Sequence, residues 1–479
     1  MLTETANGDS RLSLWRRVRE FAVPPSMIET ATARRSVGDW AGACAAAGID
    51  VDLDLRSLAR GSGREIASRI RADLRRLAPD LLRWHMPRVA PDGLLRPGLT
   101  LTLARYGTAG RDGEGPVHLV VRTPPAWADG GQRMSLALWN GSRDEDGTRG
   151  HPHPRPNRRF RLDLHRHLWD ARRAEELAGR SGARRPPMDG GLATDPDLPV
   201  SVPPGHRCAV DRWAAEAAIL LQAEGRSTGG LTVRFGARQR LVLDLAASRT
   251  RPGTRELRAA DGGASTPGGA SALPVLPDAA TWVLPDLELI RAGLIEADRL
   301  HPLVSSALVP DRPTTVSAGA GSRSGDGGAG RPRLVRCRGA EHQIGLVDGV
   351  LAPLDHDPAE IRREELLAAL GGTPLPCLRA IDEAHRRPDC LTGVRERLDH
   401  GDTAGALAVV EGLLGSDATL RSGPLRDELA AAAQRRVSYG LFRAGLAEPG
   451  PARNAPERRG TRDRRSRDRR ALPRHATSR

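Results

Sequence analysis

The 479-residue chain carries 73 basic and 59 acidic residues, a formal charge of +14, and contains no lysine, so every basic residue counted is arginine. Without lysine there is no Walker A phosphate loop, no kinase strand lysine, no Schiff-base lysine and no Ser-x-x-Lys nucleophile pair, which removes those enzyme classes. At roughly 150 residues per domain the length suits about three domains.

A hydrophobic share of 39%, raised toward half by 53 glycines, permits a sizeable core although aromatic residues are few. The surplus of arginine, alanine and glycine fits a GC-rich coding bias. Cys44, Cys208, Cys337, Cys377 and Cys390 are odd in number and lack any Cys-x-x-Cys pair. They read as reduced thiols of a cytoplasmic protein, neither a disulfide frame nor a zinc ribbon. No secretory pattern opens the chain, and no apolar run approaches a membrane span.

The predicted fold class is α+β: a helical N-terminal part, a mostly antiparallel α+β centre and a helical C-terminal part, with disordered linkers and a basic tail. Residues 1–10 read as disordered and 11–87 as a helical region. In it Leu12, Trp15, Val18 and Ala22 keep helical spacing until Pro24-Pro25. A helix is expected over Ser26–Val37, closed by Gly38, with Asp39 capping the next, Trp40–Ala47. Asp50, Asp52 and Asp54 then alternate with apolar residues; three like charges on one face could hold magnesium, though an edge strand or loop guarded by charge is far commoner. A further helix over Gly63–Leu77 places Ile66, Ile70, Leu74 and Leu77 on one face.

From residue 88 to 250 the period changes to two. Strands are expected at Leu99–Leu103, Val117–Val121 and Met134–Leu138, with Phe160, Leu162 and Leu164 as a fourth. Helices follow at His165–Gly179 and Ala209–Glu224, then a hairpin of Leu231–Phe235 and Arg240–Leu245. Residues 251–273 and 317–332 read as disordered linkers around a leucine-rich segment, 274–316. Residues 333–446 begin with strands at Leu334–Arg338 and Gln343–Val347. They continue as helices at Pro358–Leu370, Leu375–His385, Leu391–His400, Asp402–Leu414 and Leu425–Leu446. Residues 447–479 are a disordered arginine-rich tail.

One motif occurs twice. Gly38-Asp39-Trp40-Ala41-Gly42-Ala43-Cys44-Ala45 matches Gly401-Asp402-Thr403-Ala404-Gly405-Ala406-Leu407-Ala408 at six of eight positions. In each copy glycine ends one helix and aspartate caps the next, so two αα-hairpins are expected.

The charge is local. Residues 451–479 hold 11 arginines against Glu457, Asp463 and Asp468, a net of +8, and 149–185 hold 11 against Asp163, Asp170, Glu175 and Glu176, a net of +7. Arg155, Arg158, Arg159 and Arg161 in the first patch, with Arg464, Arg465, Arg469 and Arg470 in the second, are candidate polyanion contacts. The tail lacks the aromatic platforms of specific single-strand binders.

Catalytic-looking strings are few. Asp382-Glu383-Ala384-His385 spells a DEAH box, but its context is helical and no lysine faces a phosphate. If residues 159–167 form a strand, Asp163, His165 and His167 share its outer face as a conceivable metal triad. If a helix starts at Asp163, they diverge. No catalytic residue and no cofactor is assigned. Asp355-His356-Asp357-Pro358 reads as a helix cap followed by proline at the first helical position.

Phe21–Arg60 (FAVPPSMIETATARRSVGDWAGACAAAGIDVDLDLRSLAR) and His151–Asp170 (HPHPRPNRRFRLDLHRHLWD) resemble uncharacterised proteins of high-GC actinobacteria. That family is associated with gene neighbourhoods holding a MoxR-type AAA+ ATPase and a von Willebrand A domain protein. The resemblance spans residues 11–446 apart from the linkers and carries no catalytic motif, so it implies partners of those two kinds. The expectation is a non-enzymatic cytoplasmic adaptor. The alternatives are a nucleic-acid or polyanion binder through Arg149–Arg185 and the 451–479 tail, and a metal-dependent hydrolase.

Overall fold

The computed structural model describes residues 8–61, 63–107, 115–128, 130, 132–141, 151–184, 191–203, 207–236, 239–248, 252–260, 273–310, 333–347, 350–370, 373, 375–386, 391–414 and 422–446. Of the described residues 49% are helical and 19% lie in strands; the fold is mixed α+β, with helices at both ends. The tail and the 317–332 linker lie outside the described residues.

Helices α1 (Gly8–Phe21), α2 (Pro25–Ser36) and α3 (Trp40–Ala46) open the chain, so α1 already occupies the end of the 1–10 segment. Strand β1 (Ile49–Asp52) follows, then α4 (Leu55–Gly61), α5 (Arg64–Arg76) and α6 (Pro79–His85). Strands β2 (Thr100–Tyr106), β3 (Val117–Arg122) and β4 (Met134–Trp139) complete a sheet of order β1-β4-β3-β2. The aspartate-bearing β1 is its edge, paired parallel to β4, while β2, β3 and β4 run antiparallel. The apolar face of α5 is buried through Ile66, Ile70 and Leu74, continuing into Leu77.

The next sheet is ordered β5-β8-β7-β6, from β5 (Leu192–Thr194), β6 (Gly229–Arg234), β7 (Arg240–Ala247) and β8 (Arg255–Ala259). It follows the short helix α7 (Leu177–Arg180) and packs against α8 (Val210–Ala223). Strand β8 corrects the reading of 251–273 as a linker throughout. Arg255, Glu256 and Arg258 hide the strand from a hydropathy pattern, yet Leu257 is fully buried beneath α8.

The leucine-rich segment forms α9 (Asp278–Thr281), α10 (Pro285–Arg291) and α11 (Pro302–Leu308). It returns to the N-terminal helices. Arg19 meets Asp286 through two buried bonds of 2.7 and 2.8 Å, and Trp84 Nε1 donates to the same carboxylate at 3.1 Å. One core therefore runs from Trp15 and Trp84 through Leu101, Leu119 and Trp169 to Leu289 and Val304. The helical region and the first sheet share it, with no boundary at residue 87. A second core surrounds Trp213, Leu231, Leu243 and Leu257.

The C-terminal part starts with a sheet of order β11-β10-β9, from β9 (Arg333–Cys337), β10 (Ala340–Val347) and β11 (Val350–Pro353). Helices α12 (Pro358–Ala369), α13 (Pro376–Arg386), α14 (Leu391–Asp399), α15 (Thr403–Leu414) and α16 (Pro424–Arg443) follow. Asp357 accepts from the Ala359 amide at 3.0 Å ahead of Pro358, as the cap reading expects. The DEAH residues lie on α13.

Both αα-hairpins form, by matching bonds. Gly38 and Gly401 take φ of +80° and +86°, a backbone region that favours glycine. Asp39 then accepts from the Gly42 amide at 2.8 Å and Asp402 from the Gly405 amide at 2.9 Å. The five-residue loop back is also shared: Arg34 reaches Asp39 at 3.2 Å and Arg397 reaches Asp402 at 2.9 Å.

Candidate functional site

The basic loop that precedes α7 sits where the first and second cores meet. Expected as a strand and then a helix, residues 160–180 instead make three short 3-10 turns, at Leu162–Leu164, Arg166–Leu168 and Ala174–Glu176, before α7. Tertiary bonds override the local pattern. Trp169 Nε1 donates to the Leu162 carbonyl at 3.0 Å, and Arg166 bridges Asp170 at 3.1 Å to Asp73.

This path parts the conceivable metal triad. Asp163 is held by Arg161 at 2.8 Å, and Arg161 also binds Glu224 at 2.8 Å. His165 turns away, its Nε2 lying 3.1 Å from Glu216 Oε2. Glu216 accepts two bonds of 2.7 Å from Arg180. Burial alone would raise the Glu216 pKa, but His165 and Arg180 outweigh it and hold the carboxylate well below its usual range. His167 is buried beside His165, ring centroids 5.7 Å apart. Burial, then the neighbouring His165 and Arg180, depress its pKa well below the ordinary imidazole value. Asp163 and His165 thus bind different partners, and the three residues have no common focus.

Two of the candidate polyanion contacts are committed inward. Arg159 makes bonds of 2.9 and 2.8 Å to buried Asp278, and Arg161 is shared between Asp163 and Glu224. Arg155 and Arg158 are exposed. Arg464, Arg465, Arg469 and Arg470 lie outside the described residues. Asp50 and Asp52 are likewise engaged. Tyr439 donates to Asp50 beside Arg133, and Arg443 pairs with Asp52, so these carboxylates anchor α16 to β1.

Two cavities adjoin these groups. Between the cores, Trp15, Trp84, His85, His167 and Arg212 line a space of about 40 Å³, enough for a few waters and far below substrate size. Between α16 and the first sheet lies a cleft of about 320 Å³, walled by Arg122, Ser135, His151, Tyr439 and Arg443. Burial, with Arg122 nearby, lowers the His151 pKa to about 4, so this imidazole is neutral at physiological pH.

A third cluster was not anticipated. Cys337 ends β9, His356 follows β11, and Cys377 opens α13; one donor atom from each lies within 4.8 Å of the others. Three elements bring them together, and their sequence spacing carries no metal motif. The local signal was the tight turn Arg338-Gly339, with φ of +51° and +86°, directly after Cys337.

No protein-family model matches this chain, and comparison with curated proteins and with solved structures gives no match. Among the described residues, no helix is long and apolar enough to cross a membrane.

Proposed function

We propose that the chain is a cytoplasmic, non-enzymatic adaptor that docks a protein partner on its C-terminal helices. The observation that carries this reading is the last turn of α12 and the residue that follows it. Leu366, Leu367 and Leu370 are 63%, 53% and 86% exposed within a little over one helical turn. Singly exposed apolar residues are ordinary, whereas a contiguous group on one face is what a protein interface buries. The occupant this face fits is a partner protein with a complementary apolar face. The resemblance to proteins encoded beside a MoxR-type AAA+ ATPase and a von Willebrand A domain protein nominates those two as the first partners to try.

The polyanion alternative draws on exposed Arg155 and Arg158 and on the composition of the tail. The inward commitment of Arg159 and Arg161 weighs against it. A hydrolase centred on Asp163, His165 and His167 finds no support in their separate pairings.

The test is affinity purification of the full chain from its own cells beside the Leu366→Glu, Leu370→Glu variant. The adaptor reading expects a partner in fixed ratio with the wild type and its loss with the variant. Recovery of the same proteins by both chains, or of none by the wild type, overturns it. Retention on nucleic acid that weakens steeply with salt would favour the alternative.

A further inference from the structure

Among the described residues, the unit formed by β9–β11, α12 and α13 buries Ile344 and Ile381 and gathers a small cluster around two thiols. Its core cluster holds Cys337, Leu375 and Cys377, with Val335, Ile361 and Leu378 partly buried against it. Small units commonly add a disulfide or a structural metal to their core.

The donors for a metal are at its centre. The Cys337 and Cys377 thiols are buried and neighbour the His356 ring, their donor atoms all within 4.8 Å. The His356 side chain is 4% exposed, and its Nε2 is buried without a hydrogen-bond partner. Such an orphan carries the full cost of its desolvation unless something binds it. Its other nitrogen, Nδ1, lies 3.9 Å from a Glu360 carboxylate oxygen, too far for a hydrogen bond. His342 stacks on His356 at 4.0 Å, and its Nδ1 is also buried without a partner.

We propose that Cys337, His356 and Cys377 hold a structural zinc ion that joins the three-stranded sheet to α13. Two thiolates and an imidazole are a soft donor set that suits zinc over magnesium or calcium. Among the described residues, two thiols are too few for a four-cysteine iron–sulfur cluster. Charge also balances: two thiols each lose a proton as the dication binds, leaving a neutral centre in a buried place. The competing use of this pair, a Cys337–Cys377 disulfide, would leave the buried His356 Nε2 unpartnered; zinc occupies it.

The test uses full-length protein without a histidine tag, purified under reducing conditions and free of chelator. Elemental analysis is expected to find about one zinc per chain in the wild type and in a Cys208→Ser control. The zinc content should fall at least tenfold in Cys377→Ser and in His356→Ala. Because either variant could misfold, the wild type is also stripped and titrated with cobalt. Thiolate-to-cobalt charge transfer and intense tetrahedral bands are the supporting result. A wild type that purifies without stoichiometric zinc and gives no such bands overturns the proposal. So does a mass two hydrogens lower, from a Cys337–Cys377 disulfide already present that the reducing buffer does not open.

Discussion

The guanidinium of Arg83 donates to the backbone carbonyl of His400 at 2.9 Å, across 317 positions of the chain. The same side chain donates to the Ala22 carbonyl at 2.9 Å and to the Gln132 carbonyl at 2.6 Å, and it is 2% exposed. One buried cation therefore joins the end of α1, the approach to β4 and the turn of the second αα-hairpin. Replacing Arg83 with methionine keeps much of the volume and strips the carbonyls of their donor. The expected cost is about 2–4 kcal/mol, from several buried acceptors left unpaired. Hydrogen exchange should show α14 and α15 losing protection before the first sheet does. Equal loss everywhere would mean that the hairpin is held by other contacts, such as Arg17 with Glu396.

The twin caps make a sharper prediction. A Cβ at Gly42 would lie 2.1 Å from an Asp39 carboxylate oxygen, and one at Gly405 would lie 2.1 Å from the equivalent oxygen of Asp402. Gly42→Ala should therefore act by evicting the cap. It is expected to cost about 1 kcal/mol, as Asp39→Ala does. Made together, the two changes should cost no more than Asp39→Ala alone, since the cap can be lost once and alanine is the better helix former. Additive costs in denaturant titrations would contradict this mechanism.

These caps were legible because a helix stop and start are written in adjacent residues. So was the face of α5, whose Ile66, Ile70 and Leu74 recur at helical spacing and are buried. What was hidden depends on partners distant in sequence. The 160–180 path is set by Trp169, Arg166 and Glu216 rather than by its own periodicity. The strand β8 offers one fully buried leucine among charges. At the candidate sites, the sequence placed histidines close together without showing that His165 would turn to Glu216. It also kept Cys337 and Cys377 apart as plain thiols, although β9 and α13 bring them together.

Stability should fall in acid through buried histidines. Burial, then nearby Arg88 and Arg83, takes the His400 pKa down to about 3; burial takes His85 and His167 well below the ordinary value. The unfolded chain protonates these rings near pH ~6.5, while the folded chain resists until the depressed value is reached. Unfolded protein thus binds more protons in that interval, so stability is present above pH ~6.5 and drains away as pH falls toward ~3. Each ring contributes up to about 1.4 kcal/mol per pH unit. His400→Phe should remove one such increment. At neutral pH it should be nearly neutral, because neither ring nitrogen of His400 has a hydrogen-bond partner among the described residues. A urea midpoint independent of pH between about 7 and 5 would refute the account.

Arg159 separates structure from polyanion binding. It was a candidate contact for phosphates, but its side chain is 9% exposed and closed on that of Asp278, itself 1% exposed. Arg159→Ala would leave that carboxylate buried without its cation, at an expected cost of about 3–5 kcal/mol. Arg155→Ala, on the exposed part of the same loop, should change stability by less than about 0.5 kcal/mol. Polyanion affinity should respond in the opposite order, with Arg155 sensitive and Arg159 changing only as folded protein is lost. Melting curves and heparin retention of the two variants decide between these roles. A stable Arg159→Ala protein with weakened retention would return Arg159 to the list of phosphate contacts.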